Sequence, residues 1–316
     1  MSARLLGLAL LLSLATATSS FAQTRFVVPY TPGAANDTLA RVLAQNLGAE
    51  TGQPVLVDNR PGAGGHLAAE QVAHAVPDGK TLLVTTNGLL AIGPHLYRKL
   101  PYDPQKDLAP VIRFANVPYV LGVSPQLGIK TVGELIALAK AKPEQVNFAS
   151  SGNGSVPHMC GELINLQAGL KMTHVPYKGG AQAMNDVMSG TVELYCGSIP
   201  SLIGFAESGK ITLLGVTSPK RSALLPDLPT LEEQGLHGID VDSWVGLHAP
   251  GGTPSATIEK LYSQIAKLMA TDDVRRVFLA QGAVPEALAP AEFGAKVREE
   301  SDRWAPVVKA SGATLD

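Results

Sequence analysis

The chain has 316 residues, of which 25 are Lys or Arg and 27 are Asp or Glu, so its formal net charge at pH 7 is −2. This nearly balanced charge argues against nucleic acid or an anionic membrane surface as the partner. Residues 1–22 are interpreted as an export signal, because Arg4 precedes the apolar run Leu5–Leu14 and Ser20-Phe21-Ala22 forms a small-x-small cleavage site. The remaining residues, 23–316, are enough for two ordinary domains.

The stretch from residue 26 to residue 47 has the order strand, loop, helix. Phe26–Val28 is apolar and predicts a buried strand, and the prolines and glycine of residues 29–33 predict a tight loop. Apolar residues then recur at helical spacing up to Leu47. Such a loop leaves N–H groups unpaired at a helix start, where the helix dipole favours an anion. We interpret residues 30–37 as a carboxylate cradle; an ordinary βα turn is the alternative.

The rest of the first hundred residues repeats this order. Pro54–Asp58 and Thr81–Thr86 predict two more strands, and apolar residues between 67 and 73 predict a helix. The order β-loop-α-β-loop-α-β predicts a parallel sheet with right-handed crossovers. In such sheets ligands gather beyond the carboxyl ends of the strands. Residues 30–37 and Thr86-Asn87-Gly88 are therefore candidate site loops.

A second βα pattern follows in the middle of the chain. Further strands are predicted at Leu108–Phe114, Tyr119–Val123, Val146–Ala149, Val192–Tyr195 and Ile211–Val216, helices at Val132–Ala141, Pro254–Met269 and Pro290–Ala310, and a return connection at Val241–His248. The polar loop Ser150–His158 opens another helix, as residues 30–37 do. Two donor-rich loops predict two lobes with a ligand between them. The chain would cross to the second lobe near Val123 and return near Asp240.

The motifs of catalysis and metal binding are weak. Gly204–Lys210 has the spacing of a phosphate-binding loop, but Ile211 stands where the magnesium-binding Ser or Thr belongs. His158 and Cys160 are only two potential metal ligands. We therefore expect no catalytic residue, no metal and no cofactor. Cys160 and Cys196 could pair after export, but we favour a free, buried pair.

Several polar and aromatic residues have both a structural and a ligand-facing interpretation. Asp37 either complements the dipole of the first helix or acts as an acceptor at the lip of the pocket. Arg60 and Lys178 lie in loops, where they face either the cleft or solvent. Tyr30, Tyr177 and Trp244 either form part of the pocket wall or pack in the core or at the hinge.

The run Val27–Arg41 resembles the opening motif of the Bug-type (TctC-like) periplasmic solute receptors, which serve tripartite tricarboxylate transporters. Ordered matches continue through the mature chain at Asp58–Gly65, Pro77–Leu82, Ser151–Ser155 with His158, Val175–Gly180, Leu228–Glu233, and Trp244 with Ala249–Pro254. The resemblance implies an α/β, two-lobed periplasmic binding protein of type II-like fold, each lobe a mainly parallel sheet flanked by helices. Lobe I would comprise residues 23–123 and 241–316, and lobe II residues 124–240.

The resemblance also implies the ligand-binding residues. Carried over position by position, they are Tyr30, Gly33, Ala34, Asn36 and Asp37 in the first loop, Ser151, Asn153, Gly154 and Ser155 in the second, and Asn87, Tyr177 and Lys178 beside them. The chain departs from the family at one point, since the family commonly has Gly-Gly where this chain has Gly33-Ala34. We expect the additional methyl group to narrow the pocket or tilt the loop.

The function implied by the resemblance is non-catalytic. The mature protein, cleaved near Ala22, would be a periplasmic monomer that captures a mono-, di- or tricarboxylate, aromatic acids included. It would deliver this acid to the membrane subunits of a transporter. Two alternatives stay open: a secreted enzyme that acts on a carboxylate substrate, and a ligand sensor that feeds a signalling partner.

Overall fold

The computed structural model describes residues 23–315; the predicted export signal, residues 1–22, and Asp316 lie outside this range. Its strands are β1 Thr24–Val28, β2 Val55–Asn59, β3 Thr81–Thr86, β4 Leu108–Val123, β5 Asn147–Ser150, β6 Thr173–Pro176, β7 Leu194–Ser198, β8 Thr212–Val216, β9 Asp242–Pro250 and β10 Val284–Leu288. Its helices are α1 Ala35–Thr51, α2 His66–Ala73, α3 Gly93–Leu96, α4 Val132–Ala141, α5 Val156–Ala168, α6 Gly180–Met188, α7 Ile199–Glu207, α8 Ser255–Met269, α9 Asp272–Ala280 and α10 Pro290–Ser311. A π-helical turn, Gly88–Ile92, precedes α3. Within residues 23–315 no helix has the length and apolarity to cross a bilayer.

Lobe I is built on a mixed sheet. Strand β1 pairs in parallel with β2 and β3, as the βα pattern predicts, and the chain order gives the two crossover helices α1 and α2. Strand β9 then pairs antiparallel with β3 and β4, and β10 pairs antiparallel with β4. The parallel sheet predicted from sequence is therefore confirmed for β1–β3, and an antiparallel half extends it.

The two strands predicted at Leu108–Phe114 and Tyr119–Val123 are one continuous strand, β4. Its first part, Leu108–Pro118, pairs with β9, and its last part, Tyr119–Val123, pairs with β7. The stretch predicted as a return connection at Val241–His248 is mostly strand β9, which lies between β3 and β4. A strand can pass from one partner to another without ending, so the weak apolar pattern near Pro118 did not mark a break.

Lobe II has the same design. Strand β5 pairs in parallel with β6 and β7, and β4 pairs antiparallel with β7 and β8. Just before β9, the N–H of Val241 donates to the carbonyl of Thr217, after β8, at 2.9 Å. Pro118 and Asp242 face each other in the β4–β9 ladder, so the segments at which β4 and β9 leave this ladder lie side by side.

Each lobe buries apolar residues on both faces of its sheet, because the helices flank it on two sides. The long helix α10 belongs to both lobes: Phe293 and Val297 pack in lobe I, and Trp304, Val307 and Val308 pack against residues of lobe II. One helix therefore supports both sides of the hinge.

The free, buried cysteine pair expected from sequence is corrected by the structure. Cys160 on α5 and Cys196 on β7 form a disulfide, with their Cα atoms 6.3 Å apart. Both residues are buried, as expected. The residues meet because α5 packs against β7, a contact between segments 36 residues apart.

Candidate functional site

A cavity of about 520 Å³ lies between the lobes at the carboxyl ends of β1 and β3. Seven of the residues predicted from the family resemblance line it: Tyr30, Asn36, Asn87, Ser151, Asn153, Gly154 and Ser155. Five others, Gly33, Ala34, Asp37, Tyr177 and Lys178, do not reach its wall. The role of all twelve in ligand contact stays a prediction.

The lobe I loop leads into an uncapped helix start beside this cavity, which Asn36 lines. Ala34 is the N-cap residue of α1 and makes no side-chain capping bond. Among residues 23–315 the amides of Ala35, Asn36 and Asp37 have no hydrogen-bond acceptor. These three N–H groups and the dipole of the 17-residue helix make the loop a site for an anion.

Glycine is required at one position of this loop. Gly33 has φ +84°, in the left-handed region, whereas Ala34 has an extended backbone with φ −64° and ψ 153°. Alanine adopts that extended conformation without strain. The methyl group of Ala34 lies outside the cavity wall, so it does not narrow this cavity.

Asp37 holds the loop in shape. It is 1% exposed, and its carboxylate accepts hydrogen bonds from Gly33 N at 2.8 Å, Arg41 Nε at 2.9 Å and Asn59 Nδ2 at 2.8 Å. Burial alone would raise the pKa of Asp37, but these donors outweigh it and hold the pKa below its ordinary value. The carboxylate is thus occupied by the protein, which favours a structural role.

Two polar links join the end of β3 to neighbouring segments. The hydroxyl groups of Tyr30 and Thr86 are 2.6 Å apart. Asn87 donates through Nδ2 to the carbonyl of Asp242 at 2.6 Å, and Ser243 Oγ donates to Asn87 Oδ1 at 3.3 Å. Asn87 therefore fixes the end of β3 to the start of β9, beside the hinge.

The lobe II loop is organised by histidines. Ser155 caps α5: its Oγ accepts from His158 N at 3.4 Å and donates to the carbonyl of Gly152 at 2.7 Å. The amide of Gly154 donates to His158 Nδ1 at 3.0 Å. His158 stacks on His174 with ring centroids 3.7 Å apart, and His174 Nε2 lies 2.6 Å from Ser150 Oγ. The Ser155 hydroxyl and the Gly154 amide are thus bonded within the loop.

Two carboxamides remain for a ligand. The side chains of Asn36 and Asn153 line the cavity from opposite lobes, and neither has a hydrogen-bond partner in the described part of the chain. Ser151 also lines the cavity.

The other predicted residues are engaged away from the cavity. Tyr177 donates its hydroxyl to Asp186 Oδ2 at 2.6 Å, and Lys178 is exposed. The exposed Arg60 pairs with Asp58 at 3.0 Å. Trp244 is fully buried in the core and donates Nε1 to Glu300 Oε2 at 2.8 Å.

The wall of the cavity carries no permanent charge. None of the described residues that line it is Asp, Glu, Lys or Arg. His66 is the one histidine among them, and burial lowers its pKa to about 4. A bound anion would therefore be held by helix starts, amides and hydroxyl groups.

Sequence reasoning missed much of the wall. Tyr119 and Ser243 come from the adjacent hinge strands, and His66, Tyr97 and Leu315 lie at loop and helix ends. No short motif marks these residues. Thr86 and Gly88 are different, because the rule of the carboxyl strand ends already pointed to their loop.

Two lobes, a shared hinge and a polar cleft between them define the class of periplasmic-type binding proteins. The family model described as "Tripartite tricarboxylate transporter family receptor" (TctC) matches residues 39–313, and the chain belongs to this family. Protein BugT of Bordetella pertussis is 36% identical over 292 residues, which cover 92% of this chain and 90% of that protein.

Solved structures agree with this assignment. Rpa4515 of R. palustris, solved with adipate, has a TM-score of 0.79 and 36% identity, covering 93% of this chain and 98% of its own. MatC (Rpa3494) of Rhodopseudomonas palustris, solved with bound malate, has a TM-score of 0.75 and 34% identity, covering 90% and 98%. The predicted family and fold class are therefore confirmed.

Proposed function

We propose that this protein is a periplasmic receptor that captures a small organic carboxylate in the cleft and delivers it to the membrane subunits of a tripartite tricarboxylate transporter. The observation that carries the proposal is the uncapped start of α1, whose three unpaired amides include that of Asn36, a residue of the neutral cleft wall. Adipate and malate, bound to two structural relatives, are dicarboxylates. We extend this ligand class to the present chain.

Closure would occur about the two adjacent connections. We place the hinge at Pro118–Tyr119 in β4 and at Val241–Asp242, where the strand partners change from one lobe to the other. Tyr119 and Ser243 line the cleft next to these points, so closing would bring the two loops onto a ligand held over the hinge. The residue ranges of the lobes remain a proposal.

The proposal is non-catalytic. The described wall of the cleft has no carboxylate, lysine or cysteine, and its one histidine, His66, hydrogen-bonds to Tyr102 and not to a serine of the wall, so the described wall shows no nucleophile–base pair. The rival reading, an enzyme that acts on a carboxylate, is tested by incubating the protein with a bound acid and recovering that acid. A chemically altered acid would overturn the receptor assignment.

The binding test uses protein stripped of ligand by unfolding and refolding, in a thermal-shift panel of mono-, di- and tricarboxylates. A ligand at a hundred times its Kd adds about 2.7 kcal/mol of stability, enough to move the melting midpoint. Each carboxamide is then removed in Asn36→Ala and Asn153→Ala. Loss of a hydrogen bond to a charged oxygen should weaken binding about 10- to 150-fold.

The matched control is Gln45→Ala, an exposed carboxamide on the same helix as Asn36. It should bind the acid as the wild type does. If no carboxylate shifts the melt, the receptor proposal fails. Loss of acid uptake in a deletion strain would separate delivery to a transporter from ligand sensing, in which uptake persists.

A further inference from the structure

His66 occupies an unusual position for a titratable side chain. It is the first residue of α2, is only 5% exposed and lines the cleft between the lobes. Its Nδ1 lies 2.8 Å from the hydroxyl of Tyr102, and Tyr97 packs against its ring edge-to-face at 4.7 Å between centroids. The aromatic neighbours therefore fix the orientation of the imidazole.

The partner of Nδ1 determines where the ring proton lies. Tyr102 is 6% exposed, and its hydroxyl has no hydrogen-bond partner other than His66 Nδ1 among residues 23–315. A buried hydroxyl proton needs an acceptor, so Tyr102 donates to Nδ1. Burial raises the pKa of Tyr102 and lowers that of His66 to about 4, so both groups are neutral near pH 7. The single ring proton of His66 is then on Nε2.

The edge of the ring that carries Nε2 packs beside Gly93. A Cβ atom added to Gly93 would lie 2.6 Å from Nε2, and one added to Gly64 would lie 3.8 Å from Cδ2 of the same ring. Both glycines line the cavity. Within the described chain Nε2 has no hydrogen-bond partner. Nε2 is nevertheless not among the fully buried unpaired side-chain atoms of residues 23–315, so it is accessible from the cavity that His66 lines.

We propose that His66 is a specificity-determining residue of the cleft, whose Nε2–H donates to a second polar group of the bound acid, an oxygen of a distal carboxylate. This inference rests on the proposed receptor function. A monocarboxylate of the same length would leave the buried N–H unpaired, and sites built to bond a polar group discriminate strongly against ligands that lack it. His66 therefore selects dicarboxylates over monocarboxylates.

The test compares adipate with hexanoate, and succinate with butyrate, by titration calorimetry on refolded protein. The wild type should bind each diacid more tightly than the monoacid of equal length. His66→Phe keeps an aromatic ring but removes the donor, and should reduce this preference by about tenfold or more, with monoacid affinity nearly unchanged. His66→Gln restores an N–H donor and should recover part of the preference. His74→Phe, an exposed histidine at the other end of α2, is the matched control.

A second measurement needs no variant. Ring ¹⁵N spectra of the wild type should show the neutral Nε2–H tautomer of His66 at pH 7, and adipate should shift the Nε2 resonance more than hexanoate does. An unchanged diacid preference in His66→Phe, or an Nδ1–H tautomer, would overturn the inference while leaving the receptor function intact. If the wild type binds none of the carboxylates in the wider panel, the receptor proposal fails and this inference fails with it.

Discussion

Replacing Asp37 by Asn tests how the lobe I loop is held. The carboxylate Oδ2 accepts from Gly33 N and Arg41 Nε, and Oδ1 accepts from Asn59 Nδ2. An amide keeps one oxygen and turns an NH₂ group toward at least one of these donors. The variant therefore keeps the volume of the side chain and removes its ability to accept all three bonds.

The expected loss follows from burial. Asp37 is 1% exposed, and hydrogen bonds to a charged group contribute about 1.5–3 kcal/mol each. The sum lies toward the low end because Gly33 is exposed, and the pair with half-exposed Arg41 adds little. We expect Asp37→Asn to lower the free energy of unfolding by about 2–4 kcal/mol. The folded-state pKa is depressed, so the carboxylate stabilises the protein above the ordinary value of 3.8. The difference from wild type should shrink as the pH falls below that value.

Urea unfolding at pH 7 and at about pH 3 measures this difference, and calorimetric titration measures carboxylate binding in parallel. The control is Asp273→Asn, a first-turn acid on α9 that pairs with Arg276 but is 87% exposed, and it should change little. Unchanged stability with lost binding would show that Asp37 contacts the ligand. Unchanged stability with unchanged binding would refute the structural role as well.

Two further predictions concern the core. Cys160→Ser combined with Cys196→Ser should lower the free energy of unfolding by about 2–4 kcal/mol, because the disulfide joins residues 36 positions apart and restricts the unfolded chain. Equal stability of the wild type with and without dithiothreitol would contradict this prediction. Burial lowers the pKa of His248 to about 3, so the folded protein excludes a proton that the unfolded chain takes up below about pH 6.5. Stability should therefore fall as the pH decreases from 6.5, with His248 contributing up to about 1.4 kcal/mol per pH unit. In His248→Gln this dependence should be shallower between pH 6 and pH 4, and an identical dependence would show that His248 is not buried as a neutral group.

Local sequence features predicted the elements that local forces determine. Val132–Ala141 is a helix with the predicted bounds, and the order of β1 to β3 with their crossover helices is as expected. Helix α9 was missed because it is short and rich in charge, and β10 because it is a short strand that depends on its pairing with β4. The antiparallel half of each sheet is set by pairing between distant segments, which no local pattern encodes.

The residues of the candidate site also divide into those that local sequence predicts and those that contacts between distant segments place. Glycine and proline at the ends of β1 and β5 pointed to both loops, because these residues are needed for the turns themselves. Tyr119 and Ser243 line the cavity because β4 and β9, which are far apart in the sequence, pair at the hinge. The role of Asp37 depended on Asn59, which the pairing of β2 with β1 brings beside it.

The hinge strands also separate charge from the ligand. Successive side chains of a strand face opposite ways, so Tyr119 and Ser243 line the cleft while Pro118 and Asp242 line a second cavity behind it. There Arg113 lies between Asp242, Glu286 and Glu300, and burial, with the Asp242 charge, raises the pKa of Glu300 to about 7. One arginine thus faces three carboxyl groups behind the sheet, and the pKa values of all three are raised. The cleft itself contains amides, carboxamides and a helix start, which attract a carboxylate but do not bind the rest of the acid. Specificity for the rest of the acid then depends on wall residues such as His66.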